Sequence, residues 1–160
     1  MAILSSQALL AASMSFSAML GSKSVHTEIV IPSAPEKVWQ VLVDIERYHE
    51  WNPAITLVEG SLAVGNSVTY RFQETDEKAA NITSRVQAIE PTTHLNHKGG
   101  YWGIITFDQH YRLVPHESGT KFTVDESYTG LWVNFWDQTH TQNQYEKMAK
   151  ALKQRVLDLY

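Results

Sequence analysis

Between residues 54 and 131 the chain is a series of short alternating runs cut by turn residues, and this pattern most restricts its fold. Alternation of apolar and polar positions sends one face of each run inward and the other to water, as in an antiparallel sheet. The spacing predicts strands near Ile55–Glu59, Ser67–Glu74, Ala80–Ile89, Thr93–Lys98, Gly103–Val114 and Thr120–Leu131. Gly60 and Gly65-Asn66 break the first pair, and Pro91 ends the third run. Thr75-Asp76-Glu77-Lys78 and His116-Glu117-Ser118-Gly119 are polar hairpin loops, with Gly119 free to take a positive φ. A β-branched run at Ser24–Ile31 supplies one more strand ahead of these.

Helical periodicity flanks the strands. Pro32 ends the first strand, and Ser33-Ala34-Pro35-Glu36 has the spacing of a capping box. Pro35 suits a first helical turn, where its missing N–H costs nothing. Val38, Val41, Leu42 and Ile45 then fall on one face, extended by Trp39. Tyr48 and Trp51 mark a second short turn, stopped at Asn52-Pro53 because a residue before proline is pushed out of the helical region. At the far end, Tyr145, Met148, Ala149, Leu152, Val156 and Leu159 form one stripe of a helix over Asp137–Leu159. Lys147, Lys150, Lys153 and Arg155 lie away from that stripe, and cations suit a helix C-terminus. Such a helix is roughly 35 Å long. The order predicts an α+β domain: a seven-stranded curved antiparallel sheet, one face covered by the C-terminal helix.

Composition removes several function classes. The 160 residues suffice for one ordinary domain. With no cysteine there is no disulfide, thiolate zinc site or cysteine nucleophile. A net charge of −4 is no footprint for nucleic acid. The five Trp, seven Tyr and five Phe, by contrast, are a large bulk to house. Glycine-rich phosphate loops, a serine nucleophile elbow and HExxH are missing. Among the seven histidines, His94-x-x-His97 is the one close pair, and residues i and i+3 of a strand point to opposite faces. No metal and no cofactor are expected.

The start of the chain stands apart. Residues 2–20 carry no charge and 13 of the 19 are apolar, with Lys23 the first charged side chain. Residues 1–23 are therefore read as an N-terminal segment and 24–160 as the domain. Three readings fit the segment: a packed tail or an early start ahead of Met14 or Met19, an export or anchoring signal, or no defined role. A signal peptide needs a positive n-region, which is missing, and five serines and Gln7 dilute the run, so no stable membrane span is expected. The expected location is cytoplasmic, or exported or membrane-associated if residues 1–20 direct it.

Two stretches carry a resemblance. IVIPSAPEKVWQVLVDIERYHEWNPAI closely resembles the opening of the START-like (SRPBCC) superfamily, the Bet v 1-like or helix-grip fold. TFDQHYRLVPHESGTKFTVDESYTGL resembles its last hairpin. Polyketide cyclases and dehydrases belong to the superfamily, as does a co-chaperone-type activator family. The resemblance covers about residues 25–160 and implies a cavity between sheet and long helix, taking an apolar or aromatic small molecule or lipid. It assigns Trp39 and Leu42 to the core and Trp51-Asn52-Pro53 to a hinge. It carries over no catalytic motif.

Alternation proposes the cavity residues. In the Gly103–Val114 run, Ile105, Phe107, Gln109, Tyr111 and Leu113 share the inward face; in the last run, Phe122, Val124, Glu126 and Tyr128 match them. Gln109 and Glu126 are polar interruptions of apolar faces. Glu126 either braces the core through a hydrogen bond, orients a ligand, or works as an acid/base with Tyr128; a register slip of one would instead bring His110 near it. Tyr70 and Phe72 are further wall candidates, with Tyr145 and Met148 on the helix. Trp102, Trp132, Phe135 and Trp136, at element ends, fit either a ligand gate or closure of the core. The expected partner is a small hydrophobic ligand, with a cyclase or dehydratase, and a ligand-free interaction module, as alternatives.

Overall fold

The computed structural model describes residues 19–160. The N-terminal segment up to residue 18 lies outside the described residues. Seven antiparallel strands form one sheet: β1 (Gly21–Ile31), β2 (Ile55–Gly60), β3 (Ser67–Gln73), β4 (Ala79–Glu90), β5 (His94–Tyr101), β6 (Ile105–His116) and β7 (Gly119–Gly130). Their spatial order is β1-β7-β6-β5-β4-β3-β2, a meander whose last strand pairs with the first. Helix α1 (Pro35–Val43) and a 3-10 helix (Ile45–Glu50) link β1 to β2, a 3-10 turn (Trp132–Asn134) follows β7, and α2 (Thr139–Leu159) closes the chain. Register shifts between Leu57 and Glu59 and between Val86 and Ala88 interrupt the ladders, and such bulges bend a sheet. This is the helix-grip arrangement.

Each predicted strand is present, and β1 begins at Gly21 rather than Ser24. The capping box does not form. Ala34 is the N-cap of α1 and no side chain caps it. The segment before the helix is tied elsewhere: the Ser33 amide donates to the Ile31 carbonyl at 2.8 Å, and the Ser33 carbonyl accepts from Thr120 Oγ1 at 2.7 Å. Tertiary pinning thus moves the helix start one residue on, with Pro35 in its first turn. Gly119 closes the β6–β7 hairpin at φ 129°, where a Cβ would lie 2.2 Å from the Ile31 carbonyl oxygen. Asn52 makes the hinge after the 3-10 helix, its Oδ1 accepting from the amides of Ala54 and Ile55 at 3.0 Å each.

The space between sheet and α2 is packed at one end. Ile31, Val38, Leu42, Leu113, Phe122, Leu152 and Val156 are all buried there in the core. Helix α2 contributes Met148, Ala149, Leu152 and Val156, the stripe read from the sequence as far as Val156; Leu159, in the last turn, is exposed instead.

Candidate functional site

Beyond Tyr111 the same inward face of β6 and β7 stops packing and lines a cavity of about 640 Å³. The β6–β7 register places Tyr111 opposite Val124, Gln109 opposite Glu126 and Phe107 opposite Tyr128. The slipped register that would bring His110 to Glu126 does not occur; His110 pairs with Asp125 on the outer face. Phe107 keeps its place because Gly99, its partner on β5, has no side chain; a Cβ there would come within 2.6 Å of the ring. Tyr70 and Phe72 of β3 face the hairpin across the cavity, and Tyr145 and Thr141 descend from α2.

Glu126 is the chemical centre of one side. It is 5% exposed, and both Tyr128 and Tyr145 donate their hydroxyls to the same carboxylate oxygen, Oε2, the latter at 2.5 Å. Gln109 Nε2 donates to the Tyr145 hydroxyl at 2.5 Å, so Gln109 orients a residue that orients Glu126. Burial pushes the Glu126 carboxyl up to about 7; the two tyrosine hydrogen bonds oppose the shift without cancelling it. Burial likewise pushes the hydroxyls of Tyr128, Tyr145 and Tyr111 up, so they stay protonated donors. The indole of Trp136 packs on the Tyr128 ring, centroids 4.6 Å apart, beside the mouth.

The mouth lies where the β3–β4 hairpin, the end of β5 and the segment after β7 meet. Lys78 pairs with Glu74 at 2.5 Å across the hairpin, and Gln144 of α2 donates to the Glu74 carbonyl at 3.2 Å. Trp132, Trp136 and Tyr101 complete the rim. Among the described residues no three His, Asp or Glu side chains are placed to hold a metal ion. Among them, too, no helix is long and apolar enough to cross a membrane.

A profile of the polyketide cyclase / dehydrase and lipid transport family matches residues 22–157. The chain belongs to that family. No curated protein matches it in sequence. Solved structures match in fold at low identity. An aromatase/cyclase from a Streptomyces species aligns with TM-score 0.71 and 13% identity, over 86% of this chain and 94% of that one. Norcoclaurine synthase from Thalictrum flavum, in complex with dopamine and hydroxybenzaldehyde, gives 0.70 and 14% over 100% and 98%. The Bet v 1-like protein Ara h 8.0201 gives 0.66 and 20% over 86% and 99%.

Within this family fold, the residues read from the sequence separate into three groups. Tyr70, Phe72, Phe107, Gln109, Tyr111, Glu126, Tyr128, Trp136 and Tyr145 meet around the cavity. Phe122 and Met148 point to the same side of the molecule but lie in the packed end, not on the cavity wall. Trp102 and Phe135 are off the wall as well, 81% and 83% exposed at loop tips. Alternation fixes which face Phe122 takes, and the helical stripe which face Met148 takes, but neither says how far along its element packing stops, which accounts for the second group. The third group sits in turns, where periodicity gives no direction.

Tyr48, Ser84 and His97 are also on the wall, and none of them stands out as a site residue in the sequence. His97 does carry a readable signal: Leu95, two residues earlier on β5, is fully buried, so His97 shares its inward face. Its spacing from His94 draws attention to a metal pair instead and masks that signal. His94 in fact stacks on His110 on the outer face, its Nε2 2.8 Å from His110 Nδ1.

Proposed function

We propose that the chain binds a small, largely aromatic molecule in the cavity between the sheet and α2. The observation that carries this reading is a space of about 640 Å³ with ten Tyr, Phe and Trp rings on its wall and a few convergent polar groups around Glu126. That combination of size and lining is the usual make-up of a small-molecule pocket. Structural relatives named as an aromatase/cyclase and as a synthase holding dopamine and hydroxybenzaldehyde support the choice of aromatic guests. A ligand-free interaction module would need a filled core, and the region beside Glu126 is hollow. Gentle purification followed by native mass spectrometry, together with titration of the apolar fluorophore anilinonaphthalene sulfonate, tests the reading. Saturable binding to one site, altered in Phe107→Trp, is the expected result; fluorescence that never saturates overturns it.

Glu126 favours a second, catalytic reading. A buried carboxyl with a pKa of about 7 is divided between acid and base near neutrality, the poise that proton transfer to a bound ligand requires. In such a role Glu126 moves the proton, Tyr128 and Tyr145 fix the carboxylate, and the aromatic walls hold a flexible substrate folded. A nitrobenzisoxazole probe, which loses one C–H proton to a base as its N–O bond opens, reports this directly. Turnover is expected to rise with pH through about 7 and to vanish in Glu126→Gln. Equal turnover by that variant rules the catalytic reading out.

A further inference from the structure

Five strands align one residue each into a transverse row on the inner face. Val25, Glu126, Gln109, His97 and Val86 are register partners across β1, β7, β6, β5 and β4. Three buried polar side chains thus stand side by side, bounded by a valine at each end. Two of them are satisfied: Glu126 by its tyrosines, and Gln109 by Tyr145. The third is not. His97 is 2% exposed, and neither of its ring nitrogens has a hydrogen-bond partner among the described residues. Ser84 Oγ, on the neighbouring strand, is buried and unpartnered in the same way. Because Val86 pairs with His97 and Ser84 with Gly99, Ser84 and His97 are diagonal neighbours, within reach of one small group. Both line the cavity.

Packing among the described residues does not use the nitrogens of His97. Its ring is held edge-on between Tyr70 and Tyr111, with centroids at 5.9 and 6.3 Å, contacts that fix its plane without engaging its nitrogens. Unpaired buried polar groups are costly, and native interiors rarely keep them without a reason. We propose that His97 and Ser84 form a second polar subsite that takes an uncharged hydroxyl group on the aromatic ligand. This rests on the ligand-binding reading above and adds which chemistry the site selects.

The reasons lie in the groups themselves. Burial pulls the His97 imidazole down to about 4, so it is neutral at physiological pH and offers one N–H donor and one lone pair. Ser84 likewise both donates and accepts. A hydroxyl matches this pair, since it also does both. A carboxylate, phosphate or ammonium would lose its hydration and meet no opposite charge. The subsite lies two strands from Glu126, roughly 10 Å across the sheet. A ligand reaching both is longer than one aromatic ring, with polar groups toward its two ends and an apolar middle against Phe107.

The test compares naphthol with naphthalene as competitors of anilinonaphthalene sulfonate on the full chain. Wild type is expected to prefer naphthol by about tenfold, the size of one well-made hydrogen bond. In His97→Phe that preference is expected to collapse toward unity, and in Ser84→Ala to fall part-way. In wild type with nitrogen-labelled histidine, one imidazole should shift with naphthol and not with naphthalene, a readout that needs no variant. If both probes bind equally and no imidazole moves, the cavity still binds but the subsite is refuted; a structural water then satisfies His97. If neither probe binds, the ligand reading falls and the subsite with it.

Discussion

The inward face of the β6–β7 hairpin is one continuous surface with two different fates. Around Leu113 and Phe122 it is packed solid, while three residue pairs further on, around Phe107 and Tyr128, it faces a cavity. Tyr111 marks the border, stacked on Phe122 with centroids 6.0 Å apart and also on the cavity wall. Polar side chains begin one pair beyond it, at Gln109 and Glu126. The packed end uses apolar residues because dispersion and burial stabilise it; the hollow end forgoes that stabilisation and tolerates groups the packed end could not. Substitution should expose the division. Phe122→Ala removes a fully buried ring and is expected to cost about 3–5 kcal/mol in urea unfolding. Phe107→Ala, from a half-buried ring beside an existing void, should cost only about 1–2 kcal/mol. Equal losses would erase the distinction between the two ends.

The hollow end should also carry an unusual dependence on pH. Glu126 titrates near 7 when folded and near 4.5 when unfolded, so the fold holds a proton that the unfolded chain releases between those values. Its contribution is therefore full below about 4.5 and lost as pH rises through about 7, a change of about 3 kcal/mol. His97 works in the opposite sense. Its folded value near 4 lies below its ordinary 6.5, so its contribution is full above 6.5 and lost as pH falls toward 4, again by about 3 kcal/mol. The two slopes oppose each other between about 4.5 and 6.5 and leave wild-type stability flat with respect to this pair. Relative to wild type, Glu126→Gln should gain stability as pH rises across that window, and His97→Phe should lose it. Unfolding midpoints at several pH values check both signs, and parallel curves for all three proteins would contradict the assignment.

Much of this arrangement is legible in the amino-acid sequence. Alternation in GIITFDQHYRLV and KFTVDESYT places Gln109 and Glu126 on the inward face, while their pairing is fixed by the hairpin register, which the sequence leaves open and the structure decides. The stripe on α2 is equally plain. The expectations that fail share one cause: they need information that local pattern does not hold. Ser33 has the right neighbours for a cap, yet its contacts with Ile31 and Thr120 are tertiary. Phe122 and Phe107 look alike in alternation, and only the position of α2 and the helices above them decides which one meets a void. Trp102 and Phe135 lie in turns, so no period aims them.

The satisfied side of the cavity can be loosened in one step. Tyr145→Phe removes a hydroxyl that donates to Glu126 and accepts from Gln109. A hydrogen bond to the charged form favours ionisation, so its loss should raise the Glu126 carboxyl further above about 7. The expected destabilisation is about 1–2 kcal/mol, because Gln109 also loses its partner. Carbon NMR of labelled glutamate follows the carboxyl. A titration midpoint that stays or falls would show that Tyr145 does not hold the charge.

The smallest effect belongs on the outer face of the same strands, which sharpens the contrast by chemistry rather than packing. There Asp125 accepts from Arg112 at 3.0 Å and lies 2.6 Å from His26 Nδ1, with Asp125 and Arg112 both 42% exposed. Asp108 lies on that face too. Burial alone would raise its carboxyl, but hydrogen bonds from Lys98 and Asn96 and the charges of His110 and Lys98 outweigh burial and lower it. Glu126, one residue from Asp125 but turned inward, goes the other way. Water and salt screen the outer network, so Arg112→Ala should cost less than about 1 kcal/mol, and less still in high salt. The charge of Asp108 already acts through the sheet and helps to raise the Glu126 carboxyl, whereas Arg112 is not among the groups that set it, so the Glu126 midpoint should stay in place in Arg112→Ala. A shift of that midpoint in Arg112→Ala would mean that the coupling between the two faces reaches beyond Asp108 to the Arg112–Asp125 pair.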